Sequence, residues 1–139
     1  MELYSKLRDM KILLIDDDEW IRDSLTIFLD SEGCHLTAFE TAEEAIRAIE
    51  KDHYDIVISD YKLPGMDGIE FFKSLERSHP HAIKIIITAY GNEAVASEAR
   101  RIGINDFIEK PFTTQTIERS LCCLIEEREE KGDLYSSET

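Results

Sequence analysis

The chain alternates short unbroken apolar runs with stretches in which apolar residues recur every three or four positions. The runs are Ile12-Leu13-Leu14-Ile15, Cys34 to Phe39, Ile56-Val57-Ile58, Ile83 to Thr88 and Asp106 to Glu109. The length and β-branched content of the central ones predict strands buried on both faces. Helical spacing links Ile21, Leu25, Phe28 and Leu29, then Ala45, Ile46 and Ile49, then Ile69, Phe72 and Leu75. An Ala-rich helix follows over Glu93 to Ile102, and a long one from near Thr113 carries Ile117, Leu121, Leu124 and Ile125. The punctuation agrees. Gly33 and Gly103 are C-terminal stops, Thr41 and Glu44 have capping-box spacing, and His79-Pro80 closes the third helix. Strands separated by single helices pair in parallel through right-handed crossovers, so the pattern predicts an α/β doubly wound sheet of five strands with five helices on both faces.

The 139 residues form one domain with a real core. Residues 10–127 are its expected body, residues 1–9 a polar lead-in, and residues 128–139 an acidic C-terminal tail or linker stub. A hydrophobic fraction of 42% and a charged fraction of 33% describe an ordinary globular protein. No apolar run approaches the roughly 18 residues of a membrane span, and no signal-peptide core opens the chain, so no membrane partner and a cytoplasmic location are expected. The net charge of −14 argues against direct contact with nucleic acid and fits a protein that holds cations. Cys34, Cys122 and Cys123 make neither a metal-ligand spacing nor an even disulfide framework, and read as thiols in a reducing compartment.

The chemistry lies where the strands stop. Ligands of an open parallel sheet bind beyond the carboxyl ends of its strands. Those ends carry Asp16 and Asp17, Asp60, Thr88 and Lys110. The segment after Asp60, with Pro64-Gly65 and Asp67-Gly68, is a turn that no helix can include. Two carboxylates about 5 Å apart repel by roughly 3 kcal/mol at an effective dielectric near 20, so three acids in one pocket call for a cation. An all-oxygen donor set with room for water suits Mg²⁺ or Mn²⁺. Such an ion completes its shell with a phosphate oxygen, Lys110 and Thr88 offer a charge and a hydroxyl to the remaining oxygens, and a carboxylate can attack phosphorus. The pocket reads as a phosphoryl-acceptor site.

These motifs resemble the receiver domain of two-component response regulators. They are Ile12 to Asp17, Ile58-Ser59-Asp60 with Pro64-Gly65-Met66-Asp67-Gly68, Thr88-Ala89 and Lys110-Pro111-Phe112, in order from about residue 10 to 127. The resemblance implies a flavodoxin-like sheet of strand order 2-1-3-4-5, with Asp60 accepting phosphate from a sensor histidine kinase or phosphotransfer protein. It implies that Asp17, Asp60 and the Lys62 carbonyl ligate Mg²⁺, with Asp16 acting through water, and that Thr88 and Lys110 bind phosphoryl oxygens. The bond before Pro111 is expected to be cis. Thr88 and Phe107 would form the switch that alters the surface of the helix at 93–102, the strand at 106–109 and the last helix. Phe107 stands where the family more often has Tyr and lacks its hydroxyl. Lys62 and Tyr90, two residues beyond Asp60 and Thr88, would tune the lifetime of the aspartyl phosphate.

Three other readings are open at this stage. A Mg²⁺-dependent aspartyl phosphatase would use Asp16 as nucleophile and Asp18 as acid, but Trp20 fills a position that wants a small residue. A receiver-like interaction module without phosphorylation would lack one of the pocket residues, and none is missing. A nucleotide carrier needs a Gly-rich phosphate loop that is absent. Output is expected through a downstream effector or a C-terminal output domain outside this sequence, with a homodimer through the last two helices as a further option.

Overall fold

The computed structural model describes residues 2–89 and 91–138, with side chains through Lys131. Tyr90 lies outside the described residues. The elements run α1 (Leu3–Leu7), β1 (Lys11–Ile15), α2 (Glu19–Ser31), β2 (His35–Phe39), α3 (Ala42–Lys51), β3 (Ile56–Asp60), α4 (Gly68–Leu75), β4 (Ile83–Thr88), α5 (Glu93–Arg101), β5 (Asp106–Glu109) and α6 (Thr114–Glu138). All strands are parallel, in the order β2-β1-β3-β4-β5.

Strand alternation divides the core into two layers. Ile12, Leu14, Ile56, Ile58, Ile83, Ile85 and Ile87 face α1, α2 and α6. Leu13, Ile15, Val57 and Ile86 face α3, α4 and α5. β1, β3 and β4 are buried almost throughout, as their continuous apolar runs require. Each buried aliphatic side chain contributes about 1.5–3 kcal/mol, so the central strands can hold mutually repelling acids at their ends.

Four helices start on polar caps, of which the sequence pattern marks Thr41. Asp67-Gly68, expected in a turn outside any helix, opens α4 because the Asp67 side chain accepts the Glu70 N–H. Asp18 caps α2 by accepting from the main-chain N–H of Trp20 and Ile21, Thr41 caps α3, Asp67 caps α4 and Asn92 caps α5.

Two segments differ from expectation. Residues 1–9 are more than a lead-in, because Leu3 and Leu7 of α1 are buried in the core. Two apolar residues four apart give the chain a sixth helix, one whose stability comes from packing. At the other end α6 continues through Gly132-Asp133 to Glu138, so the backbone of the expected tail or linker segment is helical.

Candidate functional site

β1 and β3 are hydrogen-bonded neighbours with Ile15 opposite Ser59, so Asp16, Asp17 and Asp60 emerge side by side at one sheet edge. The Asp16 main-chain N–H donates to the Phe39 carbonyl, which holds it at the strand end. Carboxylate oxygens of Asp16, Asp17 and Asp60 lie within 4.8 Å of one another. Asp16 is fully buried, Asp60 is 6% exposed, and Asp17 faces solvent. The buried pair is therefore sheltered while one acid stays open to water.

Lys110 follows β5, and its main-chain N–H donates to the Thr88 carbonyl. This anchor sends its side chain across the pocket. Nζ stands 3.0 Å from Asp16 Oδ2 and 3.1 Å from Asp60 Oδ2, donating a hydrogen bond to the latter. The contact with Asp16 Oδ2 is one of charge, for that buried oxygen receives no directed hydrogen bond. Burial first, with the Asp60 charge adding, pushes Asp16 up to about 6 against the opposing pull of the Asp18 N–H and Lys110. Burial works against the Lys110 charge, but Asp16 and Asp60 outweigh it and hold the ammonium above its ordinary range.

Three carboxylates within reach of one another, two of them buried, fit a hard divalent cation and suit neither a soft metal nor an organic cofactor. The pocket in front of them is about 370 Å³, lined by Asp17, Asp60, Lys62, Leu63, Pro64 and Ala89, with Lys110 at its side.

Other predicted residues take definite places. Lys62 is exposed on the pocket wall. Thr88 ends β4, fully buried, on the strand next to Asp60. The Lys110-Pro111 bond is cis. Phe107 is half-buried against the core of the α3–α5 layer.

Three features have a role at the site that the sequence pattern does not show. Arg22 donates from Nη1 to the Asp16 carbonyl and supports the acidic turn from α2. Gly68 donates its N–H to the Tyr61 carbonyl, and a Cβ there would lie 2.6 Å from the Asp60 carbonyl oxygen. An apolar groove of about 410 Å³ opens beside Lys110 and Ala89, with Ile21, Leu25, Pro111 and Phe112 in its walls. Trp20, 78% exposed, stands at its lip.

Residues 12–121 match the family model described as the response regulator receiver domain. The transcriptional regulatory protein FixJ of Bradyrhizobium diazoefficiens is 40% identical over 101 residues, which are 73% of this chain and 49% of FixJ. The DNA-binding transcriptional regulator NtrC of Escherichia coli K12 is 35% identical over 101 residues, 73% of this chain and 22% of NtrC. The chain thus spans about half the length of the first and under a quarter of the second. Among solved structures, the beryllofluoride-activated NtrC4 receiver domain dimer superposes with a TM-score of 0.79 at 30% identity, covering 84% of this chain and 97% of that one. Chemotaxis response regulator CheY4 of Vibrio cholerae shares the fold, with a TM-score of 0.73 at 23% identity over 85% of this chain and 97% of its own.

Proposed function

The chain belongs to the response regulator receiver domain family, and from that membership we propose that Asp60 is the side chain that takes up the phosphoryl group. As a receiver domain of two-component response regulators, it works in signalling. Its body corresponds to residues 10–127. The observation that carries the residue assignment is Lys110 Nζ held between Asp16 Oδ2 and Asp60 Oδ2 at the mouth of an open pocket.

In this reading an Asp60 carboxylate oxygen attacks the phosphorus of a phosphohistidine on a sensor kinase or phosphotransfer protein. The P–N bond breaks, its electron pair stays on the imidazole, and Asp60 becomes an acyl phosphate. Lys110 is already at Asp60 Oδ2 and can follow the phosphoryl oxygens as charge builds on them. Asp16, Asp17 and Asp60, with the Lys62 carbonyl, would hold Mg²⁺ or Mn²⁺, which when bound neutralises phosphoryl oxygen charge. Asp16 makes a poor nucleophile for the rival phosphatase reading, since it is fully buried against Lys110. The only reaction assigned to the domain is its own phosphorylation and dephosphorylation.

Thr88, next to the acceptor strand, supplies a hydroxyl to the phosphoryl group, and Phe107 responds. The surface of α5, β5 and α6 changes with them. Lys62 on the pocket wall and Tyr90 screen the acyl phosphate from water and set its lifetime. The phosphodonor reaches Asp60 through the open mouth of this pocket. The signal passes to an effector protein or to an output domain on the same polypeptide. The strongly acidic charge of −14 makes this unit itself a poor match for nucleic acid. Among the described residues no helix is long and apolar enough to cross a membrane.

The test is intact-mass analysis after incubation with acetyl phosphate and Mg²⁺. A gain of about 80 Da, one phosphoryl group, is expected on the natural sequence and absent from Asp60→Asn. An unmodified natural chain, or an adduct that persists in Asp60→Asn, overturns the assignment.

A further inference from the structure

β5 is an edge strand, paired on one side only, with β4. Its side chains alternate between the two layers. Phe107 points toward α5, where it borders a cleft of about 270 Å³ also lined by Ala96, Ala99 and Ile104. Ile108 packs in the opposite layer with Ile117, Leu121 and Ile125 of α6.

Asp106 shares the face of Ile108, and both of its carboxylate oxygens are engaged. Oδ1 accepts the main-chain N–H of Phe107 at 2.8 Å. Oδ2 accepts the hydroxyl of Ser120, on α6, at 2.5 Å. Ser120 is only 8% exposed, beside Leu121 in the buried stripe of the helix. A hydroxyl bound to a carboxylate is shorter and stiffer than a neutral hydrogen bond. One residue earlier, Asn105 is pinned to β4 twice, accepting the Lys84 N–H on its side chain and donating its own N–H to the Lys84 carbonyl. The start of β5 is therefore fixed to β4, and the peptide of Phe107 is fixed to α6.

We infer that the Asp106–Ser120 bond is the link through which a change at Phe107 is transmitted across the sheet edge to α6, with both residues acting as positioning residues. The inference rests on the proposed reading of Asp60 and Phe107. Thr88 sits opposite Glu109 in the β4–β5 ladder, so a shift at Thr88 acts directly on β5. The Phe107 ring has open space beside it, whereas its main-chain N–H is tethered. Movement of that peptide must be taken up by the Asp106 carboxylate, and the carboxylate holds α6. Without the Ser120 hydroxyl, β5 would keep the apolar packing of Ile108 against α6 but lose this directed link to the Phe107 peptide.

Hydrogen exchange read by mass spectrometry on the full chain, with and without beryllofluoride in Mg²⁺, tests this. Beryllofluoride here stands in for the acyl phosphate. In the natural sequence the analogue should change exchange both in the segment 88–95 and in α6 over 114–125. In Ser120→Ala the first change should remain and the second fall below half, while Ser120→Thr, which keeps the hydroxyl, should restore it. Ser120→Cys, of similar size with a weak donor, should behave like Ser120→Ala and serves if the alanine variant folds poorly. Phosphorylation of Asp60 by acetyl phosphate should stay within about twofold in all three, as expected of a residue remote from the acids. An undiminished α6 response in Ser120→Ala or Ser120→Cys overturns the inference and leaves the acceptor assignment standing. So does a natural chain that responds at 88–95 and not in α6. No response at either segment overturns the acceptor reading, and the link with it.

Discussion

Lys110 decides the charge balance of the site. It is the cation set between two acids of which one is fully buried, and it is held charged by both. Lys110→Met leaves Asp16 and Asp60 facing each other and removes a positive group from the place where phosphoryl charge develops. By analogy with deleting one preorganised donor, phosphorylation by acetyl phosphate should slow about 10²-fold. Single-turnover mass analysis measures this, and a loss under about threefold would deny the lysine its role. Gly68 matters for a different reason. Its missing Cβ leaves room for the Asp60 carbonyl oxygen at 2.6 Å and the Tyr61 Cα at 3.1 Å, backbone atoms that cannot swing away. Gly68→Ala should cost about 1–3 kcal/mol in urea unfolding and slow phosphorylation as well, because the displaced backbone carries the acceptor. An alanine variant as stable as the natural chain would mean that the loop yields freely. The acids and Lys110 were legible in sequence because each ends a strand with a polar group. Gly68 reads as a turn residue, and its partner eight positions earlier is visible only in three dimensions. Ser120 looks like any polar residue on a helix.

The elements follow the apolar pattern wherever that pattern is long enough to have a period. β1, β3 and β4 could be placed by their unbroken runs, and α2 by Ile21, Leu25, Phe28 and Leu29, all four of which pack in one core layer. α1 escaped for want of length, since five residues with Leu3 and Leu7 four apart do not establish a periodicity. Its place depends on what it touches. Leu7 is fully buried, the Tyr4 hydroxyl donates to Glu118 of α6 at 2.7 Å, and the Tyr4 ring meets Phe28 of α2 edge-on. The short helix thus joins α2 and α6 over the core. Leu7→Ala should cost about 2–5 kcal/mol, as for a large side chain removed from a packed interior. A frayed lead-in would lose less than about 0.5 kcal/mol, so equilibrium unfolding separates the two cases clearly.

On the scale of the whole molecule, the sheet sets unlike charge problems at its two ends. The carboxyl end gathers acids around Lys110. The other end holds His79, 4% exposed, with Nε2 buried and without a hydrogen-bond partner among the described residues. The His53 ring stacks on it at 5.2 Å, Tyr54 packs nearby, and Lys84 approaches from β4 with its Nζ between the Pro80 carbonyl and Glu76. Burial and then His53, with Lys84 adding, hold His79 below its ordinary range, outweighing the Asp52 carbonyl and Asp55. The unfolded chain therefore protonates this imidazole more readily than the fold does. Stability from His79 is complete above about pH 6.5 and drains away as pH falls below it, at no more than about 1.4 kcal/mol per pH unit. Asp16 runs the opposite way. Its carboxyl, raised to about 6, takes up a proton more readily in the fold, so acidification relieves strain there. The two effects overlap in the natural sequence, and only their difference is seen in it. His79→Gln keeps a polar group of similar reach and removes the titration, so its stability should fall less steeply than that of the natural chain between pH 7 and 5.5. Urea midpoints at constant ionic strength measure the two slopes. Parallel curves would show that the histidine takes up its proton in the fold as easily as in the unfolded chain, by moving into solvent or finding an acceptor.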